Sequence, residues 1–156
     1  MCIICRTENI KDLDGIEAIN CYQCTNITEI PNIKGLKTLD CSNCDNLSCI
    51  SNIKSLEYLS CENCHKLQSL PLIHGLESLD CSYCDIIFIP KIKGLKELKC
   101  SGCCKITCIP KIKGLKELCC FWCYGLTVIP NIKLLKKLNC SRCYNLTCIP
   151  KIKGLK

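Results

Sequence analysis

Apolar and small residues recur along this chain at fixed offsets. Between Leu36 and Ile53 they stand at Leu36, Leu39, Cys41, Cys44, Leu47, Ile50 and Ile53, with mostly polar residues in between. Leu39 and Cys41 alternate with Thr38, Asp40 and Ser42. That is the period of two expected of a short strand that turns Leu and Cys inward and polar residues outward. Five residues separate Ile50 from Leu56, and most copies carry proline here (Pro31, Pro71, Pro90, Pro110, Pro130, Pro150). The segment is too cramped for a full helix. Glycines such as Gly35 and Gly75 mark the bend that returns the chain to the next strand.

The same unit repeats from end to end. Its most regular feature is a CxxC pair: Cys2/Cys5, Cys21/Cys24, Cys41/Cys44, Cys61/Cys64, Cys81/Cys84, Cys100/Cys103, Cys120/Cys123 and Cys140/Cys143. First cysteines are spaced by 19, 20, 20, 20, 19, 20 and 20 residues. A period this short predicts a solenoid in which each unit buries its apolar side only against its neighbours. Residues 1–156 therefore read as a single domain of about eight repeats, with a parallel sheet whose strands stack about 4.8 Å apart.

The pattern LxxLxCxxCxxL, seen at Leu36, Leu39, Cys41, Cys44 and Leu47 and again at Leu56, Leu59, Cys61, Cys64 and Leu67, resembles the conserved half of a leucine-rich repeat with cysteine at the usual asparagine position. The short IPxIKG segment that follows is similar to the 20-residue repeats of some bacterial effectors. The CSxCxxLTxIP arrays are similar to leucine-rich-repeat proteins encoded by giant DNA viruses of amoebae. The resemblance spans essentially the whole chain. It implies a curved solenoid with the parallel sheet on its concave face, turns and short extended or 3₁₀ pieces on its convex face, and use as a protein-binding scaffold. One departure is that the second inward strand position, usually Leu or Val in the family, is Cys in all eight units.

The ends carry a second departure, since the chain begins at Met1 within what reads as a strand and stops at Lys156 where another would start, with no evident terminal cap. Charge sorts along the same axis. Residues 1–80 hold 6 Lys+Arg against 11 Asp+Glu, net −5, and residues 81–156 hold 15 against 3, net +12. Open ends of opposite charge predict head-to-tail self-association. Truncation is the competing explanation of the ends, and drift on a solvated face that of the charge.

Composition narrows the setting. The chain is 48% hydrophobic but 5% aromatic, so its core is built of Leu, Ile and Cys. Lys or Glu interrupts every apolar run, so no membrane span is expected. The start, MCIICRTENIKDLDG, does not read as a secretory signal, and the expected location is cytoplasmic, the host cytoplasm if the protein is viral.

Twenty-one cysteines in 156 residues exceed the share of roughly 8–10% that marks disulfide scaffolds in short secreted chains. A cytosolic setting keeps thiols reduced, and the odd count forbids complete internal pairing. Cys49, Cys104, Cys108, Cys119 and Cys148 lie outside the repeating pairs. For the pairs themselves three states compete. They can be small buried residues of a reduced core, with the second thiol bonding the turn backbone in place of asparagine. They can ligate zinc or an iron–sulfur cluster through stacked thiols, with Cys21, Cys24, Cys41, Cys44, Cys61, Cys64, Cys81, Cys84, Cys100, Cys103, Cys120, Cys123, Cys140 and Cys143 as candidates. They can form CxxC disulfides, although the βαβ setting of redox motifs is missing. A column of four-thiolate zinc sites would concentrate negative charge in the core far from the lysines.

His65 and His74 stand at non-equivalent positions and read as surface residues. No Ser/His/Asp set, phosphate-cradling glycine loop or recurring carboxylate pair is present in the sequence, so a non-enzymatic protein is expected. One patch breaks the repeat: Phe121 and Trp122 replace small polar residues, Tyr124 and Tyr144 follow second cysteines, and Arg142 lies between them. Phe121 is expected on the concave face and the others on its rim, an aromatic and basic cluster of the kind that anchors a protein partner. Stacking on nucleic acid is the weakest of the three functional readings.

Overall fold

The computed structural model describes residues 2–155, folded as a parallel β-solenoid. Two short helices open it, α1 (Ile3–Arg6) and the 3₁₀ turn η1 (Ile10–Leu13). Nine strands of two or three residues follow: β1 (Ala18–Asn20), β2 (Glu29–Ile30), β3 (Thr38–Asp40), β4 (Cys49–Ile50), β5 (Tyr58–Ser60), β6 (Ser78–Asp80), β7 (Glu97–Lys99), β8 (Glu117–Cys119) and β9 (Lys137–Asn139). Seven of them form one parallel sheet in the order β1-β3-β5-β6-β7-β8-β9. On another side of the coil β2 pairs with β4, and a bridge joins Cys108 to Val128.

Register is strict because only one alignment buries the apolar set. Ile19, Leu39, Leu59, Leu79, Leu98, Leu118 and Leu138 stand opposite one another in successive strands. The ladder runs past the strands into the CxxC turns. The Cys41 amide donates to the Ser60 carbonyl at 2.8 Å and the Asn43 amide to Glu62 at 2.7 Å. Backbone polar groups of these very short elements are thus satisfied by the units on either side, as burial demands.

The alternation anticipated from Leu39 and Cys41 holds in part: both are buried and Thr38 is exposed, but Asp40 is half-buried and Ser42, expected to face outward, is buried. Cys41, Cys44, Cys61 and Cys64 have no exposed surface at all. The turn closes on itself, Leu47 and Leu67 donating their amides to the carbonyls of Cys44 and Cys64. The residue before the second cysteine adopts a left-handed conformation, with φ between 56° and 68° at Gln23, Asn43, Asn63, Tyr83, Gly102, Trp122 and Arg142. Gly35, at φ 88°, makes the opposite bend, where its added Cβ would sit 3.2 Å from the Gly15 Cα of the preceding unit.

The first unit departs from expectation. Residues 3–6 form α1 where later units have the CxxC turn, and Ile4 and Leu13 fold into the core; the strand anticipated at Met1 lies outside the described residues. The reason is local. Glu8 stands where Leu47 and Leu67 stand in later units, so the turn that launches the rest of the coil has no apolar anchor. The outer side also differs in detail, being mainly turns and two-residue strands, and the described 3₁₀ turn lies in the first unit alone.

Exposed ion pairs join equivalent units: Lys37 to Glu17, Lys96 to Glu77, Lys105 to Asp85 and Lys137 to Glu117, at 2.6–2.8 Å. Each contributes at most about 1 kcal/mol in water. The inward leucines contribute more, and Leu79→Ala is expected to lower unfolding free energy by roughly 2–5 kcal/mol, against less than about 0.5 kcal/mol for a change at exposed Lys111. Urea unfolding followed by circular dichroism measures both, and equal losses at the two positions would contradict the register.

Candidate functional site

Two constellations merit scrutiny, the thiol columns inside the coil and the aromatic patch outside it. In the columns, stacking brings the second cysteine of each unit under the first cysteine of the unit before. Its thiol donates to that residue's carbonyl: Cys44 to Cys21 at 3.1 Å, Cys64 to Cys41 at 3.1 Å, Cys84 to Cys61 at 2.9 Å, Cys103 to Cys81 at 3.1 Å, Cys123 to Cys100 at 3.0 Å and Cys143 to Cys120 at 2.9 Å. First cysteines donate forward, Cys41 to the Ser60 carbonyl at 3.3 Å and Cys61 to Asp80 at 3.4 Å. This ladder has the geometry of the reduced-core reading. All 21 cysteines are free thiols, so the disulfide alternative is not what the structure describes.

The hydrogen bonds and burial set the titration of these groups. A neighbouring thiol's hydrogen bond, with burial, holds Cys41, Cys61, Cys81 and Cys100 well above the usual thiol range. Burial raises Cys44 to about 11 and also raises Cys120. The partners Cys64 and Cys123 shift the other way, lowered first by the hydrogen bonds from Cys41 and Cys100. Upward shifts outnumber downward ones through the coil's interior, so the folded core holds its thiols protonated.

Among the described residues, one set of three potential ligands converges. The sulfurs of Cys2, Cys5 and Cys24 all lie within 4.8 Å of one another. The structure does not gather the other candidate ligands, from Cys41 to Cys143, into comparable groups among the described residues. His65 and His74 are exposed, as anticipated.

The aromatic patch is real but divides into two sets. Phe121 and Trp122 meet edge to face, with centroids 5.4 Å apart, and the Arg142 guanidinium carbon lies 5.5 Å from the Trp122 ring centre. Tyr124 and Tyr144 stack in parallel at 5.8 Å, both exposed, and the Asn145 side chain donates to the Tyr124 carbonyl at 2.6 Å. Phe121 follows the strand ladder on its outward-facing side and is half-buried. Its counterparts Ser42, Ser82 and Ser101 are buried.

The sequence reading missed Tyr83. Its ring meets Phe121 edge to face at 6.4 Å, across the intervening unit. That approach exists because the intervening residue is Gly102, where a Cβ would come within 2.4 Å of the tyrosine ring. The glycine, out of line with the bend glycines, was the available signal.

Trp122 and Arg142 occupy the left-handed position of their turns, at φ 59° and 60°. Bulky residues there cost on the order of 1–2 kcal/mol each relative to glycine. Other units place Gln23, Asn43, Asn63, Tyr83 and Gly102 at the same point.

Two outcomes follow for the thiol ladder. Cys84→Ala removes the donor to the Cys61 carbonyl and is expected to cost roughly 1–3 kcal/mol, whereas Cys104→Ala at an exposed position costs less than about 0.5 kcal/mol. Stability should also depend on alkaline pH. Thiols of the unfolded chain ionise near the ordinary value of 9.0, while Cys41, Cys61, Cys81 and Cys100 of the folded core are held well above it. The stabilisation is therefore complete below pH 9 and falls as pH rises through and above it. Urea midpoints at neutral pH and at about pH 10 measure this, and a flat profile would contradict protonated thiols in the core. Compared with known proteins, the chain matches no family model, no curated protein and no solved structure.

Proposed function

We propose that this chain is a non-enzymatic interaction scaffold of leucine-rich-repeat type that binds a protein partner. The partner docks on the concave, sheet-bearing face and on the rim formed by Phe121, Trp122, Tyr124, Arg142 and Tyr144, with Tyr83 extending it. The observation that carries this reading is the placement of Trp122 and Arg142 at strained turn positions where asparagine or glycine serves the fold better. A large indole with a guanidinium at its face is a poor choice for the turn and a good one for recognition. The stacked, exposed Tyr124 and Tyr144 add rigid apolar area beside it, with Tyr144 75% exposed.

Binding in this reading rests on a rigid frame. The turn that carries Phe121 and Trp122 is held by backbone hydrogen bonds to the units on either side, from the Gly102 amide to the Phe121 carbonyl and from the Trp122 amide to the Ser141 carbonyl. Little conformational freedom remains to be lost when a partner arrives, which favours affinity.

The test separates recognition from folding. Trp122→Asn and Arg142→Asn are expected to leave urea stability within about 1 kcal/mol of the parent or to raise it, by relieving the backbone. Affinity capture with the parent chain should retain a specific protein, and the double variant should lose it by about 2 kcal/mol or more, near 30-fold. Severe unfolding of the variants would make the aromatics structural, and equal capture by parent and variant would remove the rim from the interface.

A further inference from the structure

We propose that the first two CxxC pairs form a zinc site, with Cys2, Cys5 and Cys24 as ligands already converged and Cys21 as the fourth. The proposal is independent of the aromatic rim. Its spacing, Cys2-x2-Cys5-x15-Cys21-x2-Cys24, is one that four-thiolate zinc sites use. Spacing alone does not single it out, because later neighbouring pairs are spaced almost identically. Geometry does.

The Cys2 and Cys5 sulfurs are 3.7 Å apart, and those of Cys5 and Cys24 are 3.6 Å apart. Four sulfurs about 2.3 Å from a tetrahedral centre lie about 3.8 Å from one another. The thiols are thus spaced as the edges of a single-ion site. A four-iron cluster would hold them farther apart, since each sulfur would bind a different iron. Cys21, buried and three residues before Cys24, is the nearest remaining cysteine of the two pairs in sequence, although it stands outside the set of three sulfurs that lie within 4.8 Å of one another.

A second observation shows why this end differs. In every later unit the second cysteine donates to the carbonyl of the first cysteine before it, from Cys44 on Cys21 through Cys143 on Cys120. Cys24 stands outside that ladder and faces the Cys5 thiol instead. The cause is α1. It takes the place that the CxxC turn holds in later units and puts Cys2 at its N-cap, so that the Cys2 and Cys5 side chains, three residues apart, fall on one side of the helical turn.

The charge argument that weighs against metal in the interior is weaker here. Cys2 and Cys5 are only partly buried and Arg6 ends the same helix, so the net charge of a four-thiolate ion is partly solvated. The site would also supply what α1 lacks. Four residues do not hold a helix by themselves. An ion tying Cys2 and Cys5 to Cys21 and Cys24 would fasten it over the first rung of the sheet.

The test uses the full chain, reduced, with zinc or cobalt alone as probe. We expect a single zinc ion per chain after removal of loosely bound metal, and a cobalt derivative with the intense sulfur charge-transfer and visible bands of a tetrahedral four-thiolate centre. Cys24→Ser should weaken zinc binding by more than the roughly 10–100-fold that outer-shell changes cost. Cys104→Ser and Cys108→Ser, at exposed thiols, should leave it unchanged. If Cys24→Ser fails to fold, the cobalt spectrum of the parent and mapping of the thiols that zinc shields from alkylation decide the matter. Absence of bound zinc, a cobalt spectrum lacking those bands, full retention of zinc by Cys24→Ser, or shielding of thiols other than Cys2, Cys5, Cys21 and Cys24 would overturn the proposal.

Discussion

The structure depends on one constraint, that backbone groups of a unit find their partners at the same positions of the next unit. No element in the coil is long enough to satisfy itself, since the strands are two or three residues long. A slip of one residue would turn the leucine column outward along the whole sheet. The one place where the coil proper is tested is the unit from Cys81 to Lys99, which is 19 residues to the next cysteine and not 20. Its strand still pairs in register, Leu79 with Leu98 and Asp80 with Lys99. The missing residue is taken from the loop after Cys84, where Ile86 follows two residues behind the cysteine while Leu67 follows Cys64 by three. The loop yields because its side chains face solvent on one side, whereas the sheet has no slack.

Cysteine at the second inward strand position, and again three residues later, follows from the same constraint. A thiol is small and apolar enough for a fully enclosed column, and its weak donor reaches a carbonyl that the stacking leaves near it. The resulting bonds of 2.9–3.1 Å link each unit to the one before by a route separate from the sheet. Asparagine would offer a stronger donor but also a second polar group needing a partner in a sealed interior. Leucine would offer none. The free thiol serves the interior, while in the second unit the sulfur of Cys24 meets that of Cys5.

Most of this was legible in the sequence because repetition amplifies weak local signals. Leu39 and Cys41 facing inward, the parallel stacking and most of the bends at glycine could be read from one unit and checked on the others. What could not be read was whatever depended on one copy differing from its neighbours. The CxxC at Cys2 and Cys5 looks like the others, and only Glu8 in place of a leucine hints that its turn takes another form. Tyr83 was missed for a similar reason, as its reach to Phe121 depends on Gly102 two cysteines away and on stacking that brings residues 38 apart in sequence within 6.4 Å. The division of the aromatics into two sets follows from Cys123, which is buried between Trp122 and Tyr124 and sends them to different sides of the turn.

Function in such a scaffold has few places to live. Inward positions are committed to packing, and strand-facing positions to a column in which each neighbour constrains the next. The left-handed residue of the CxxC turn is different, because its side chain leaves the coil and its only demand is on φ. A fold that accepts Gln23, Asn63, Gly102 and Trp122 at that point with φ between 56° and 68° tolerates almost any side chain there, at a backbone cost of on the order of 1–2 kcal/mol. Neighbouring units share the register, so two such residues in succession are brought side by side without any further design. Arg142 lies over Trp122 for that reason alone. Repetition thus supplies the geometry of a binding cluster, and substitution at a tolerant position supplies its chemistry.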